Sequence, residues 1–305
     1  MSNEIQQAKI DMAAAFRLAA RYKLEEGIDN HFSYAVPGKE ERYLFNTYGK
    51  HWSKMKASDI IVVDGDGETI EGNTKVERSA FCIHVPIHKA NPDAKAVFHT
   101  HMPYATALSM LDDGKLQPVE QNALRFFNDC AYDDQYDGLA MEPTEGWRLA
   151  KVMGKNRVLF MANHGVTVVG KTIGDTFSDL YFLERACHVQ YLAKTWGKIR
   201  AVNPQVAHKT KRQFDESQSY MGMFFEAMKA VQISRTGGPE VLEYVELPTP
   251  KPGPGEVLVR ADAIGVHYFD MLIRAGRYRW MPELPFVLGN DMSGHVVETN
   301  GTKSL

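Results

Sequence analysis

The sequence lacks a strong charge imbalance and any long apolar run. Its 35 Lys and Arg residues and 38 Asp and Glu residues leave a formal net charge of -3 at pH 7. Such a balance gives no support to a nucleic acid or an anionic membrane surface as a partner. No stretch is apolar over the roughly 20 residues that a membrane-spanning helix needs. We therefore expect a small-molecule substrate, with no nucleic-acid and no membrane partner.

Cysteine is also scarce. Cys82, Cys130 and Cys187 stand in separate segments without C-x-x-C spacing, so neither a disulfide framework nor a thiolate metal site is predicted. The first residues do not form a basic segment followed by an apolar one, which is the pattern of a secretory signal. Reduced thiols and this N-terminus together predict a cytoplasmic protein.

The most informative residues present are histidines at the ends of apolar runs. Residues 94–98 predict a strand that ends at His99 and His101, whose side chains point to the same side because strand residues alternate faces. His164 ends a second apolar run, just before Gly165. Three histidines that leave a coordination position open are typical of a catalytic zinc or non-haem metal site. The H-x-H spacing alone also fits two strand-end histidines without a metal.

Two further histidines lie on the helix predicted over residues 79–90. His84 and His88 are four residues apart, a spacing that can place both on one metal ion. Pro86 lies between them, and we interpret the pair as packing or surface groups rather than as ligands.

Residues 198–215 are polar and separate two predicted helices. They contain the basic run Lys209-Thr210-Lys211-Arg212. Because the run is short and has no interleaved aromatic residues, we interpret it as a solvated connection and not as a nucleic-acid site.

Residues about 5–225 resemble the class II aldolase/adducin family. The landmarks of the resemblance are Asn30-His31-Phe32-Ser33, Thr47-Tyr48-Gly49, His99-Thr100-His101-Met102-Pro103-Tyr104-Ala105-Thr106, Asn163-His164-Gly165 and Leu183-Glu184-Arg185-Ala186-Cys187. The resemblance implies an α/β fold of three layers, α/β/α, with a central, mainly antiparallel sheet. It also implies a homo-oligomer, often a tetramer.

The same resemblance implies a set of site residues. A divalent metal, most often Zn²⁺ with Fe²⁺ and Mn²⁺ as alternatives, is expected on His99, His101 and His164. Substrate contacts are expected at Asn30, Thr47, Gly49 and Ser79. Tyr104 is a candidate proton donor, with a packing role as the alternative.

The sequence departs from the sugar-phosphate aldolases of this family at the acid/base position. Those enzymes carry a Ser-Ser-Glu stretch whose glutamate lies 19 residues before the first metal histidine. Here that position is Ala80, and the preceding pair is Arg78-Ser79. Glu77 is a candidate catalytic carboxylate if the backbone is rearranged, and a surface glutamate otherwise. The pattern resembles a non-aldolase branch that includes adducin-like proteins, decarboxylases and iron-dependent oxygenases.

The composition changes at Met228, where short alternating strands and a proline-rich loop begin. Residues 228–305 are similar to the β-rich GroES-like start of a quinone-oxidoreductase-type medium-chain dehydrogenase. The zinc ligands of alcohol dehydrogenases would fall at His267 and within 289–291, and neither motif is kept. No G-x-G-x-x-G fingerprint follows a strand, so no NAD(P) site is predicted within this chain. We therefore predict two domains, residues 1–227 and a truncated GroES-like segment, residues 228–305.

Three functions remain compatible with these residues. The first is a divalent-metal-dependent lyase that cleaves a C–C bond, by decarboxylation or retro-aldol cleavage, in a small non-phosphorylated hydroxy- or keto-acid. The second is a non-catalytic, adducin-like assembly module. The third is an iron-dependent oxygenase that uses the same three histidines.

Overall fold

The computed structural model describes residues 3–228, 230–233, 235–245, 251–265, 268–289 and 291–301. The chain divides into two compact units, Met1–Glu226 and Ala227–Leu305, which are described separately. His267 and Asn290, two positions aligned above with alcohol dehydrogenase zinc ligands, lie outside the described residues. Among the described helices, none has the length and apolarity needed to cross a membrane.

The first unit alternates strands and helices. Its helices are α1 (Asn3–Arg21), α2 (Arg78–Ala90), α3 (Pro103–Ser109), α4 (Pro143–Met153), α5 (Ile173–Trp196), α6 (Pro204–Glu216) and α7 (Gln218–Ala227). Its strands are β1 (His31–Ala35), β2 (Arg42–Asn46), β3 (Ile60–Asp64), β4 (Thr69–Glu71), β5 (Ala96–Thr100), β6 (Cys130–Asp133), β7 (Val158–Met161) and β8 (Gly165–Gly170).

These eight strands form one sheet in the order β4-β3-β2-β1-β5-β8-β7-β6. Neighbouring strands pair antiparallel, except β6 and β7, which are parallel. The predicted α/β fold with a mainly antiparallel central sheet is therefore confirmed.

One face of the sheet packs an aromatic cluster against α1. Phe98 of β5 stacks on Phe32 of β1, with ring centroids 3.8 Å apart, and Phe16 of α1 stacks on the same Phe32 at 4.7 Å. Trp52 meets Phe16 edge-on at 4.7 Å, and all four side chains are fully buried. Aromatic residues bury the most apolar area per side chain, so this cluster is the main hydrophobic support of α1.

The opposite face packs against α2 and α4. Side chains alternate along β5, so Val97 points to this face, where it joins a buried cluster with Ile83 of α2 and Leu149 of α4. The two helices approach closely at Gly146, where a Cβ atom would lie 1.8 Å from the carbonyl oxygen of Cys82. The sheet therefore lies between two layers of helices.

The basic run at 209–212, interpreted above as part of a solvated connection, lies instead within the helix α6. Asn203 caps this helix by accepting a hydrogen bond from the N–H of Gln205. Ala207 is its fully buried contact with the rest of the unit, and Lys211 of the basic run forms ion pairs with Asp129 and Asp215. Its few apolar residues, Val206, Ala207 and Phe214, do recur at a helical spacing after the Asn203-Pro204 start, so a signal was present but was outweighed by the polar composition.

The second unit is β-rich. It contains β9 (Ala230–Ile233), β10 (Leu242–Val245), β11 (Val257–Gly265), β12 (Phe286–Val287), β13 (Asp291–Thr299) and a short helix, α8 (Tyr268–Arg274). The described strands form a three-stranded sheet, β10-β9-β12, and a pair, β11-β13. Val241 and Ile273 form a small buried cluster in this unit.

Removal of the Phe98 ring tests the aromatic cluster. We expect Phe98→Ala to lower the free energy of unfolding of the first unit by about 3–5 kcal/mol, because the ring is fully buried and leaves a cavity. Met110→Ala, at a side chain 57% exposed, should change it by less than about 0.5 kcal/mol. Urea unfolding of the full chain measures both, and equal effects of the two variants would contradict this packing.

Candidate metal centre

Three adjacent strands bring the histidines of the first unit together. In the register of β1, β5 and β8, His31 pairs with His99 and His99 pairs with Thr167. His101 lies just beyond the end of β5, and His164 lies in the turn between β7 and β8. All of these residues are therefore at the same end of the sheet.

His99, His101 and His164 form a compact cluster. Their candidate ligand nitrogens all lie within 4.8 Å of one another, and the Nε2 atoms of His99 and His101 are 3.1 Å apart. Two nitrogens at about 2.0–2.1 Å from one tetrahedral zinc ion lie roughly 3.3 Å apart. The three histidines predicted from the sequence thus have a spacing that fits a single divalent ion.

The outer ring nitrogens of two of these histidines are held by hydrogen bonds. His99 Nδ1 donates to the carbonyl oxygen of Val166 at 3.0 Å, which leaves Nε2 without a proton. His101 Nδ1 lies 2.5 Å from Glu26 Oε2. Such partners fix the ring orientation and raise the basicity of a metal ligand. Glu26 was not identified from the sequence, because nothing in its spacing relates it to His101.

The turn that carries His164 has a demanding backbone. Asn163 adopts a φ of 54°, in the left-handed region that asparagine tolerates better than most residues. A Cβ atom at Gly165 would lie 2.6 Å from the carbonyl oxygen of Thr100 and 2.8 Å from the His101 ring. Glycine is therefore required here for β8 to approach β5 beside the cluster.

Burial keeps His99 and His164 neutral. It lowers the pKa of His99 well below its ordinary value, with a further contribution from the neighbouring His164. It also lowers the pKa of His164 to about 4, assisted by His101. Neutral imidazole is the form that binds a metal, so burial prepares the ligands for an ion.

Glu77 is a partly buried residue of the site region and not a free surface glutamate. It caps the N-terminus of α2, where its Oε2 accepts hydrogen bonds from Ala80 N–H at 2.7 Å and from the Ser79 hydroxyl at 2.5 Å. The same oxygen lies 3.9 Å from His31 Nε2. Burial raises the pKa of Glu77, but the hydrogen bonds from Ser79 and Ala80 outweigh it, and the net pKa is lowered. The carboxylate is therefore ionised at neutral pH.

Ala80 has no room for a carboxylate in its place. Its side chain is 2% exposed and belongs to an apolar cluster with Phe45, Ile61 and Val85. The position that holds the acid/base glutamate in sugar-phosphate aldolases is thus part of the hydrophobic core in this protein.

The predicted substrate-contact residues are placed differently from one another. Asn30 is buried, and its Oδ1 accepts a hydrogen bond from the His101 N–H at 3.2 Å while its Nδ2 has no hydrogen-bond partner among the described residues. The Thr47 hydroxyl is 2.6 Å from that of Thr74. Gly49 lies in a turn with a φ of 82°. Only Asn30 and Ser79 therefore have described contacts with the histidines of the site.

Tyr104 packs against α5. Its ring stacks on His188 with centroids 3.8 Å apart, and its ring contacts within the described chain do not include the three clustered histidines. Glu184 accepts hydrogen bonds from the backbone N–H groups of Tyr104 and Ala105, at 2.9 Å each. The buried Glu184 carboxylate thus holds the start of α3, directly after His101.

His31 is the main residue of this region that the sequence did not assign. Its ring stacks on His99 with centroids 4.9 Å apart, and its Nδ1 lies 2.8 Å from His84 Nε2. His84 and His88, predicted as packing or surface groups, are buried and hydrogen-bonded through Ser33. A signal was present: His31 and Ser33 are two residues apart on one strand and therefore share a face.

The comparisons with known proteins agree with this geometry. A family model, the Class II Aldolase and Adducin N-terminal domain, matches residues 10–191. The chain belongs to the class II aldolase and adducin family. A second family model, the Alcohol dehydrogenase GroES-like domain, matches residues 253–304 of the second unit. Both resemblances stated from the sequence are therefore confirmed.

Relatives of this class II aldolase and adducin family member have differing names. Decarboxylase NovR of Streptomyces niveus is 36% identical, over 67% of this chain and 76% of that protein. The 4-hydroxy-3-prenylphenylpyruvate oxygenase/4-hydroxy-3-prenylbenzoate synthase of Streptomyces roseochromogenus subsp. oscitans is 35% identical, over 67% of this chain and 74% of that protein. An aldolase II superfamily protein from Pseudomonas syringae has a solved structure that is 30% identical. Its TM-score is 0.67, and the match covers 74% of this chain and 94% of that chain.

Metal content tests the centre directly. We expect about one divalent ion per chain in the purified protein and none in a His99→Ala/His101→Ala double variant, which removes two of three ligands. Glu26→Gln should weaken metal binding by about 10–100-fold, since loss of an outer partner of a ligand has that effect. Glu40→Gln, at an exposed carboxylate, is the matched control. Elemental analysis and competition with a chelator measure these values; equal metal content in the double variant would contradict the site.

The buried His88 predicts a pH dependence of stability. Burial lowers the pKa of His88 to about 4. The charge of Lys95 contributes to the decrease, and the hydrogen bond to the Ala94 carbonyl oxygen partly offsets it. An unfolded histidine titrates near 6.5, so the unfolded state binds more protons between pH 6.5 and 4. Stability is therefore lost as the pH falls through this window, by about 3 kcal/mol from this residue.

The variant His88→Gln should reduce the slope of unfolding free energy against pH between pH 6.5 and 4. Ser178→Ala, at a buried hydroxyl that does not titrate in this window, should leave that slope unchanged. Urea unfolding at a series of pH values gives both slopes. A wild-type slope in His88→Gln would show that His88 does not titrate as its burial predicts.

Proposed function

We propose that this chain is a divalent-metal-dependent lyase that cleaves a C–C bond in a small, non-phosphorylated hydroxy- or keto-acid. The observation that carries the proposal is the convergence of His99, His101 and His164 on one position, with two of the rings oriented by outer hydrogen bonds. Zinc is the metal we propose, since three imidazoles and an open position suit it, with Fe²⁺ and Mn²⁺ as alternatives.

The chemistry divides between the metal and the protein. When bound, a divalent ion supplies Lewis-acid stabilisation of the negative charge that C–C cleavage leaves on a substrate carbonyl oxygen. The protein must also move a proton. In retro-aldol cleavage the substrate hydroxyl loses one, and in decarboxylation the α-carbon gains one after CO₂ leaves.

Glu77 is the residue we propose to accept the substrate hydroxyl proton in retro-aldol cleavage; in decarboxylation the α-carbon would take its proton from the proposed donor Tyr104. Its carboxylate is ionised at neutral pH and faces His31, whose ring stacks on the metal ligand His99. Glu77 would supply the carboxylate that is missing at position 80, where Ala80 is enclosed in the hydrophobic core. Tyr104 remains a proposed proton donor with weaker support, since its described ring contacts are with α5.

A non-phosphorylated substrate is supported by the charges at the start of α2. A serine pair in the sugar-phosphate aldolases is replaced here by Arg78 and Ser79. The Arg78 Nε donates to the carbonyl oxygen of Met141, and its guanidinium lies 3.6 Å from Glu142. Ser79 donates to Glu77. The hydroxyl is therefore committed to a carboxylate, which would repel a phosphate. Asn30 Nδ2 is the donor we propose for a substrate oxygen, and Thr47 and Gly49 are proposed to border the substrate.

An iron-dependent oxygenase is the second candidate. The relative named as an oxygenase and the relative named as a decarboxylase are almost equally similar to this chain. The three histidines accept iron as well as zinc. Oxygen consumption that requires Fe²⁺ and substrate would favour this candidate, and unchanged turnover of the zinc protein without oxygen would favour the lyase.

We also propose a homo-oligomer, in line with the family resemblance. The exposed end of α5 carries apolar side chains that a second copy would cover, including Tyr191, Leu192 and Trp196, the last 92% exposed. Light scattering coupled to gel filtration gives the mass, and a monomer at micromolar concentration would contradict this.

Metal removal and one substitution test the lyase. We expect chelator-treated protein to lose turnover of a panel of 2-hydroxy- and 2-keto-acids and to regain it with zinc. Glu77→Gln should lower kcat by about 10²–10⁴-fold, the usual contribution of a positioned acid/base group. Glu40→Gln should not. Release of CO₂ or an aldehyde is the readout. Full activity of the metal-free protein would contradict the proposal. The absence of turnover with every metal tested would favour a non-catalytic assembly module.

A further inference from the structure

A cavity of about 630 Å³ lies in the first unit, at the end of the sheet opposite the metal centre. Its lining includes Arg157, which precedes β7, and Val169 and Gly170 at the end of β8. Gly170 pairs with Ala96, the first residue of β5, whereas the metal ligand His99 lies three residues further along that strand. Strand residues rise by about 3.3 Å each, so roughly 10 Å of sheet separates the cavity from His99. The cavity is therefore not part of the metal centre.

Arg125, in the 3₁₀ helix Ala123–Phe126, contributes a buried guanidinium group to the wall of this cavity. The residue is 6% exposed, and its Cζ atom lies 4.0 Å from the ring centroid of Phe182 and 4.2 Å from that of Phe214. The two aromatic rings hold the guanidinium by cation–π attraction. Among the described residues, no carboxylate forms an ion pair with it at 4.0 Å or less. Arg125 is thus a buried cation without an anionic partner in direct contact.

Most of the hydrogen-bonding capacity of the Arg125 guanidinium is unused. Its Nη1 donates to the thioether sulfur of Met221 at 3.0 Å, which is a weak acceptor. Its Nε has no hydrogen-bond partner among the described residues, and none of the described hydrogen bonds involves its Nη2. Nε and Nη2 form one edge of the planar group, and such an edge binds the two oxygens of a carboxylate. A buried cation with unpaired donors is unfavourable, so a bound carboxylate would stabilise it.

A buried carboxylate, Asp179 of α5, lines the same cavity. The residue is 2% exposed; its Oδ2 accepts a hydrogen bond from Arg157 Nη1 at 2.7 Å, while its Oδ1 has no partner among the described residues. Burial raises the pKa of Asp179 to about 6, against the opposing effect of the charges on Arg157 and Arg125. The carboxylate is therefore ionised at pH 7.5 and can accept one further hydrogen bond.

The charges around the cavity determine which class of ligand fits it. The lining contains four Lys or Arg side chains and four Asp side chains, so neither sign of charge predominates. A phosphate at Arg125 would be repelled by the nearby Asp179, and an ammonium ion at Asp179 would be repelled by Arg125. A ligand that pairs with both side chains must carry an acceptor for Arg125 and, beside it, a donor for Asp179.

We propose that this cavity is a second binding site, for a small carboxylic acid with a hydrogen-bond donor on the carbon next to the carboxylate. The carboxylate binds the Nε–Nη2 edge of Arg125, and the donor binds Asp179 Oδ1. Two kinds of molecule share this chemistry: 2-hydroxy acids supply a hydroxyl group, and 2-amino acids supply an ammonium group. The site does not use the three clustered histidines and does not rest on the lyase proposal.

Lactate, alanine and propionate test the ligand class on the full chain. The three probes share a three-carbon carboxylate and differ at the second carbon, which carries a hydroxyl, an ammonium group or only hydrogen. We expect saturation-transfer NMR titrations at pH 7.5 to show lactate or alanine binding about 10–100-fold more tightly than propionate, because only they donate to a charged acceptor. Tight binding of lactate alone identifies a hydroxy acid, and of alanine alone an amino acid. Equal affinity for all three probes, or no binding because ordered water alone fills the cavity, would overturn the proposal.

The metal centre must be excluded as the place where a probe binds, because a carboxylate can also bind a metal ion. The same titrations in chelator-treated His99→Ala/His101→Ala protein achieve this. We expect the affinities of the wild-type protein there, and loss of binding would assign the probe to the metal centre and overturn the proposal. The readout requires neither metal nor turnover, so an inactive protein would contradict the lyase and leave this result unaffected.

Arg125→Lys tests whether the probe binds in this cavity. The variant keeps the positive charge and removes the planar edge, so we expect the tighter probe to bind about 10–100-fold more weakly. Arg185→Lys is the matched control, since Arg185 also lies over an aromatic ring, that of Tyr181, but is exposed and outside the cavity lining. Wild-type affinity in folded Arg125→Lys would overturn the site. Should that variant fail to fold, crystals of the wild-type protein grown with the tighter probe locate it, and a probe bound elsewhere would overturn the proposal.

Discussion

The antiparallel register of β1, β5 and β8 is the constraint on which the site depends. This register pairs His31 with His99 and His99 with Thr167. Phe98, which precedes His99 on β5, points to the opposite face and joins the aromatic cluster on α1. A slip of one residue would exchange the two faces and bury Phe98 at the metal centre. The slip is unfavourable because Phe98 would lose its packing on Phe32 and the ligand position would be filled by an apolar ring. The hydrophobic core therefore fixes the positions of the metal ligands as firmly as their own hydrogen bonds do.

The sheet face toward α2 combines apolar packing with a polar interior. Val97 and Ile83 pack in a dry cluster, whereas His84 and Ser33 form hydrogen bonds a few residues away. Most buried polar groups in native proteins are paired, and these two side chains follow that rule. The interior behind the clustered histidines therefore combines a hydrophobic core with a hydrogen-bonded polar row.

The sequence predicted what strong local patterns encode. Apolar runs before His99 and His164 gave the strands and the convergence of the histidines. The family landmarks gave the α/β fold. Three features were missed. α6 is amphipathic, but its polar composition outweighed the spacing of its few apolar residues. The position of Glu77 depends on the helix cap that it forms at α2, and the position of His31 depends on partners in other elements. The spacing of His31 and Ser33 shows that they share a face, but it does not identify His84 and His99 as their neighbours.

The enclosure of Ala80 has a consequence for how this family diverges. Two of the four alanine codons become glutamate codons through one nucleotide change, so the exchange is a small genetic step from those codons. Physically it is distant, because a carboxylate at this position would be surrounded by Phe45, Ile61 and Val85. Burying an unpaired charge there would cost several kcal/mol, a large part of the stability of an ordinary domain. The apolar neighbours of Ala80 therefore oppose a glutamate at this position unless they change as well.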